Sequence, residues 1–312
     1  MPGPSGIGVL YTILNLNVSV INSGLQVFIV WGVADPLRPS RFGECLTLTV
    51  RFIKCLKCLS SRLHVGAPAM NSSTICILIK LPCLFLVTVC SHISYKAPNP
   101  RQGVKDGAVI KTYSEVLLRC SSATISFLTI CFWLVASAEI AVLTASVFPS
   151  LPISQTLLET LLYKGDASQI HLTKFALLAV PLALIGTTIR VQCFRALGKH
   201  FTFELCIHAD HVLVTTGPYS IVRHPSYVGV IANFLSLCAL HGTRGSWIRE
   251  SGVMNNIFGQ ILVYTFIAYF IPGIIAMLRR MTEEDRELRA RFGKQWDEWA
   301  ARVPYSLIPG MI

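Results

Sequence analysis

Two stretches of the chain hold residues whose types and spacing could do chemistry. The first runs from His211 to Gly229 and reads HVLVTTGPYSIVRHPSYVG. Gly217-Pro218 is a turn signal. His224 precedes a proline, which pushes it out of the helical backbone region, and Pro225 suits the first position of a helix. A helix therefore opens here, with unpaired N–H groups and the positive end of its dipole, a ready site for a carboxylate. Arg223, His224, Ser226, Tyr219 and Tyr227 crowd around that one helix start. The bland alternative is a membrane-interface belt, with tyrosines at the headgroups and a snorkelling arginine. The second stretch runs from Arg280 to Pro304. Arg280 and Glu284 are four apart and share a helix face. Alone, they read as a solvated ion pair worth a few tenths of a kcal/mol.

The elements that must position these groups belong to a membrane. Of 312 residues 53% are hydrophobic and only 14% charged; a soluble domain carries about 25% charged residues. The net charge is +11. The basic residues lie between apolar runs, which fits loops at an anionic membrane surface rather than nucleic-acid binding. A spanning helix needs roughly 20 mainly apolar residues. Segments 74–92, 122–147, 173–192, 226–242 and 254–278 qualify, the last with 25 uncharged residues. Residues 7–34 are apolar enough for another, although Asn15, Asn17 and Asn22 weaken it. Five or six spans are predicted, in an all-α polytopic bundle. Residues 1–72 form a weakly specified extension with room for one span. Membrane helices fill 73–192, and a functional region with two spans and a C-terminal helix fills 193–312. The short segment 243–253 reads as a turn that makes the last two spans an antiparallel pair.

Beyond Leu278 the composition switches to RRMTEEDRELRARFGKQWDEWAARVP. Leu288, Phe292, Trp296 and Trp299 recur at i, i+4, i+8 and i+11, one stripe of an amphipathic helix. Thr282 is placed to cap that helix, with Glu283, Glu284 and Asp285 in its first turn, and Pro304 stops it. Arg279-Arg280 at the membrane exit puts this end in the cytosol by the positive-inside tendency. Of 11 cysteines, several (Cys76, Cys83, Cys90, Cys131, Cys238) sit inside apolar runs and read as small buried hydrophobes. Cys55 and Cys58 form a lone CxxC without a second pair, and no metal site is expected. Asn71-Ser72-Ser73 fits a glycosylation sequon, a pattern common by chance.

The run RHPSYVG at 223–229, preceded by HVLVTTGPY, resembles the signature of isoprenylcysteine carboxyl methyltransferases. RMTEEDREL…RFGKQWDEWAARVP resembles that family's C-terminal pattern: an arginine, acids one turn on, Phe-Gly, two aromatics and Arg-Val-Pro. The similarity covers residues 190–309, and more loosely SYKAPNP upstream. RHPxYxG alone also occurs in phospholipid methyltransferases and membrane sterol reductases; the RVP ending favours the isoprenylcysteine group. The resemblance implies an S-adenosylmethionine site formed by His211, Val212, Leu213, Val214, Tyr219, His224, Pro225, Ser226, Tyr227 and Glu284. A further cofactor contact falls on Glu204 or Cys206. Arg280, with Arg190 or Arg302, would be the catalytic, substrate-facing set.

The reaction so implied is methyl transfer to the C-terminal carboxylate of a prenylated cysteine in CaaX-processed proteins. A carboxyl group titrates near ~3.5, so the nucleophile is already ionised at neutral pH and no general base is required. The protein's task is mostly positioning. The implied partners are small GTPases or lipopeptide pheromones carrying that prenylcysteine, together with membrane lipid and no nucleic acid. The implied place is the endoplasmic reticulum membrane, multi-pass, with the site facing the cytosol. The rival readings are a phospholipid (phosphatidylethanolamine) N-methyltransferase, whose amine would need a proton acceptor, a sterol reductase, and a non-catalytic membrane adaptor.

Overall fold

The computed structural model describes residues 12–21, 24–33, 72–96, 121–201 and 212–310. The chain divides into two compact units, Met1–Glu44 and Cys45–Ile312. In the first, β1 (Thr12–Ile21) pairs antiparallel with β2 (Gly24–Val33), from Thr12 opposite Val33 to Ile21 opposite Gly24. The span for which residues 7–34 had room is therefore not what forms there. The reason is period: Leu14, Leu16, Val18 and Val20 alternate with Asn15, Asn17 and Ser19, which suits a strand.

In the second unit every described regular element is helical, in keeping with the all-α class. The helices are α1 (Ser72–Tyr95), α2 (Ser121–Val147), α3 (Pro152–Leu161), α4 (Lys174–Leu197), α5 (Pro225–His241), α6 (Trp247–Glu250), α7 (Ile257–Phe292) and α8 (Lys294–Arg302). Among the described residues, α1, α2, α4 and α7 are long and apolar enough to cross a membrane, and α5 is a shorter apolar helix. The protein is thus a multi-pass membrane protein. The core is built from Leu84 and Val87 of α1, Leu143 of α2, Ala179 and Ala183 of α4 and Leu240 of α5, all almost fully buried. Phe132, Phe234, Phe266 and Phe270 add an aromatic cluster joining α2, α5 and α7, with centroids 4.6 to 6.1 Å apart.

Helices α4 and α5 approach closely because each offers a glycine at the crossing. A Cβ on Gly186 would lie 2.5 Å from the Asn233 amide nitrogen, and one on Gly229 would lie 2.7 Å from Arg190 Cγ. Small residues at such a crossing let the backbones meet, the usual device where lipid gives helices no hydrophobic drive to associate. Segment 243–253 is more than a turn. It contains α6 and runs into a 3-10 turn at Val253–Asn255, and it bonds to the α3–α4 connection through Tyr163 N–H to Ser251 O (2.9 Å) and His171 N–H to Gly245 O (3.1 Å).

The C-terminal region departs from expectation in one respect. Thr282 does not start a helix, because α7 runs unbroken for 36 residues from Ile257 to Phe292. No glycine or proline interrupts Leu278–Phe292, so the helix continues past the apolar segment. At ~1.5 Å per residue it is about 54 Å long, against about 30 Å of hydrocarbon. The part after Leu278 therefore projects from the bilayer. The break comes instead at Gly293, whose φ of +52° ends α7 and opens α8. The stripe from Leu288 to Trp299 is consequently shared by two helices, with Trp299 buried and Trp296 half-buried.

Candidate active site

The projecting part of α7 meets the start of α5. Tyr227, in the first turn of α5, donates its hydroxyl hydrogen to Glu284 Oε1 at 2.8 Å. Arg280 Nε donates to the same oxygen at 2.8 Å. The His224 ring lies between two carboxylates, Nδ1 at 3.3 Å from Glu284 Oε2 and Nε2 at 3.1 Å from Asp285 Oδ1. It stacks on Tyr227, with centroids 5.5 Å apart and an interplanar angle of 17°. Consecutive acids on α7 thus grip both nitrogens of one histidine, a placement that the sharp turn before Pro225 makes possible.

The C-terminal tail closes the arrangement. Arg223 reaches Asp285 Oδ2 (3.1 Å), the carbonyls of Val303 (3.1 Å) and Pro304 (2.6 Å), and the Ser306 hydroxyl (2.7 Å). The backbone N–H groups of Arg223 and His224 donate to the carbonyls of Tyr305 (2.9 Å) and Ser306 (2.8 Å). Trp299 on α8 donates its indole N–H to the Tyr219 carbonyl (3.1 Å). Trp299 and Tyr219 are buried with Cys193 and Val303, and Leu213 and Val214 pack against them. This is the purpose the RVP ending serves: its carbonyls lock the histidine segment in place.

Charge follows from this geometry. Burial opposes the charged form of His224, but the hydrogen bonds and charges of Asp285 and Glu284 outweigh it and raise its pKa to about 9. Burial likewise opposes ionisation of Glu284, yet Arg280, His224 and Tyr227 bring its pKa down to about 2. At neutral pH the imidazolium and the Glu284 carboxylate are both charged. A carboxylate accepts about four hydrogen bonds, and Glu284 has three partners here. Among the described residues one acceptor position is thus left for an external donor. The fit for a cofactor amino group is therefore adequate at Glu284.

Arg190 comes from the end of α4 and is buried. Its Nη1 donates to the Ser226 hydroxyl, and its Nε and Nη2 to the Ser94 carbonyl at 3.1 and 3.0 Å. The guanidinium also lies over the Phe194 ring, 4.5 Å from its centroid. The structure thus brings Arg190, Ser226, Tyr227, His224, Glu284 and Arg280 into one linked set. Pro225 and Tyr219 are buried beside it, and Val212 is exposed. Arg302 is not part of that set: it is exposed and its Nε donates to the Glu298 carbonyl of its own helix at 3.4 Å. His211, Glu204, Cys206, Cys55, Cys58 and Asn71 lie outside the described residues. Arg223 and Asp285 were in view in the sequence but carried no role there. Their signal was position alone: Arg223 beside the histidine, Asp285 beside Glu284.

Comparison with known proteins bears on the same region. A family model described as "Isoprenylcysteine carboxyl methyltransferase (ICMT) family" matches residues 178–244, which include α4 from Leu178 onward and all of α5. The family resemblance read from RHPSYVG is thus found independently over that run. Protein-S-isoprenylcysteine O-methyltransferase B of Arabidopsis thaliana is 29% identical over 125 residues, 39% of this chain and 54% of that protein. Protein-S-isoprenylcysteine O-methyltransferase of Schizosaccharomyces pombe is 28% identical over 128 residues, 40% of this chain and 46% of that protein. A Delta(14)-sterol reductase of Gallus gallus is 29% identical over 96 residues, but over only 12% of its own length. The chain spans about half the length of the methyltransferases that it matches. No solved structure matches it.

Proposed function

We propose that this chain transfers a methyl group from S-adenosylmethionine to the α-carboxylate of a C-terminal prenylated cysteine. One observation carries the reading. The segment opening α5 and the α7 segment Arg280–Asp285 meet and share hydrogen bonds through Tyr227, His224 and Glu284. The similarity to named isoprenylcysteine methyltransferases supports the choice of substrate.

S-adenosylmethionine, when bound, supplies an electrophilic methyl group on a sulfonium. The chain's own residues bind and orient. Glu284, with its remaining acceptor position, meets the cofactor's amino group. His224, Ser226 and Tyr227 line the start of α5 against it. Arg280, whose guanidinium is fixed by Glu284, and Arg190, fixed by Ser226, orient the substrate carboxylate by the fork-to-carboxylate match of arginine. Arg190 fills this role rather than Arg302, because Arg302 is exposed and bonded to its own helix. No residue has to remove a proton, because the carboxylate is already ionised. The prenyl chain enters from the bilayer between helices, which explains why this chemistry sits among apolar spans. The basic pair Arg279-Arg280 at the exit of α7 supports a site that faces the cytosol; the endoplasmic reticulum is the expected membrane, and small GTPases or lipopeptide pheromones the expected acceptors.

The test uses microsomes expressing the full chain, labelled methyl donor and a farnesylcysteine acceptor, with phosphatidylethanolamine in a parallel arm. Label in the base-labile ester of farnesylcysteine is the expected result. Label in the phospholipid alone, or in neither acceptor, defeats the assignment.

A further inference from the structure

Arg190 is held from α1, α4 and α5 at once, and the side chain that ties these helices together is Asn233. We propose that Asn233 is a positioning residue for the Arg190 guanidinium, acting through Ser94; this deepens the methyl-transfer reading and rests on it.

Asn233 lies two turns into α5 and is fully buried. Its amide nitrogen donates to the Ser94 hydroxyl (3.1 Å) and to the Gly229 carbonyl (3.0 Å). The single hydroxyl hydrogen of Thr187 is shared between the Asn233 carbonyl oxygen at 3.3 Å and the Cys90 carbonyl at 3.0 Å. Ser94 is the residue whose carbonyl takes two donors of Arg190. Thr187 stands three residues before Arg190 on α4, on the same helix face. The bonds therefore form a closed circuit: Arg190 to Ser94, Ser94 to Asn233, Asn233 to Thr187, and back along α4 to Arg190.

This circuit does something that packing alone would not. The Arg190 partners named above are neutral: a carbonyl, a hydroxyl and an aromatic ring. A carbonyl or a hydroxyl fixes the plane of a guanidinium less firmly than a carboxylate would. Asn233 compensates by locking the residue that carries the acceptor carbonyl. The glycines on either side enforce its location. Gly186 leaves room for the Asn233 amide, and Gly229 leaves room for the Arg190 stem. A larger residue at either place would displace one member of the circuit.

The experiment measures methyl transfer by the full chain in microsomes, with kcat and KM obtained separately for farnesylcysteine acceptor and for methyl donor. The variants are Asn233→Leu, Ser94→Ala, and the two combined. Asn233→Leu is expected to lower kcat/KM for the acceptor about tenfold, the size of one lost buried hydrogen bond, while KM for the donor changes less than about twofold. Ser94→Ala, which keeps the carbonyl but removes the hydroxyl, should do the same. The double variant should be no worse than either single one, because both break the same link. Equal losses toward donor and acceptor, additive losses in the double variant, or unchanged acceptor kinetics overturn the proposal while leaving the methyl-transfer reading standing. A wild-type chain that methylates no prenylcysteine overturns both.

Discussion

The two ends of α5 carry two clusters of buried charge, and they differ in kind. At the Pro225 end, Glu284, Asp285 and Arg223 keep 14 to 19% of their side-chain surface open, and the cluster is bonded throughout. At the His241 end, Lys80 and Glu139 are sealed, at 1% and 0%, and form an ion pair at 2.5 Å. Lys80 also donates to the Gly245 carbonyl at 2.6 Å. The His241 ring sits 3.7 Å from Glu139, beyond hydrogen-bond reach, and neither of its nitrogens has a hydrogen-bond partner among the described residues. The first cluster is partly open and each of its members is held by more than one bond, the rigidity that the proposed site needs. The second is closed and ties α1, α2 and the loop after α5 together. Similar residue types are thus left partly open at one end of the helix and sealed at the other.

That contrast can be broken experimentally. Glu284→Ala should lower methyl transfer by about 100-fold or more through misplaced Arg280 and His224, with the full chain still expressed and folded by thermal melting in detergent. Glu139→Ala should instead act on stability. It leaves Lys80 buried and unpaired, a loss of about 3–5 kcal/mol, and pairing it with Lys80→Met should recover most of that loss. If Glu139→Ala abolished transfer without lowering the melting temperature, the division between the two ends would be wrong.

Smaller effects sharpen the picture. Arg223→Ala removes the clamp on the tail and should expose the chain beyond Val303 to limited proteolysis, with stability lowered by about 1–3 kcal/mol. His224 binds its proton more tightly when folded, with its pKa raised from 6.5 to about 9. Its contribution is complete below about pH 6.5 and fades as the pH rises through about 9. Thermal stability should therefore fall across that window in the wild type and fall less in His224→Gln. Arg302→Ala, at an exposed position, should change transfer by less than about twofold. A large loss there would return Arg302 to the substrate-facing set.

Much of the helical unit was legible because apolar runs of span length leave little choice of solvent. The five segments expected to span correspond to α1, α2, α4, α5 and α7, although α5 is the shorter helix of 17 residues. The helix start at Pro225 and the pairing of Arg280 with Glu284 were readable because both depend on local spacing. Thr282 misled because a capping residue is only a preference, overridden when the preceding helix has no reason to stop. Residues 12–33 misled because total hydropathy hid a period of two.

By itself, the sequence determined the solvent of the chain, the family it resembles and the residues gathered near Pro225 and Arg280. These follow from composition and from contacts spanning a few positions. Only the tertiary structure decided that Asp285 and Arg223 join the hydrogen-bonded set around His224, that Arg302 bonds to its own helix instead, and that Ser94 and Asn233 hold Arg190. Those contacts link residues from 61 to 139 positions apart. No local pattern encodes such pairings; they exist because α1, α4 and α5 pack closely enough for polar groups to find one another where water cannot reach them.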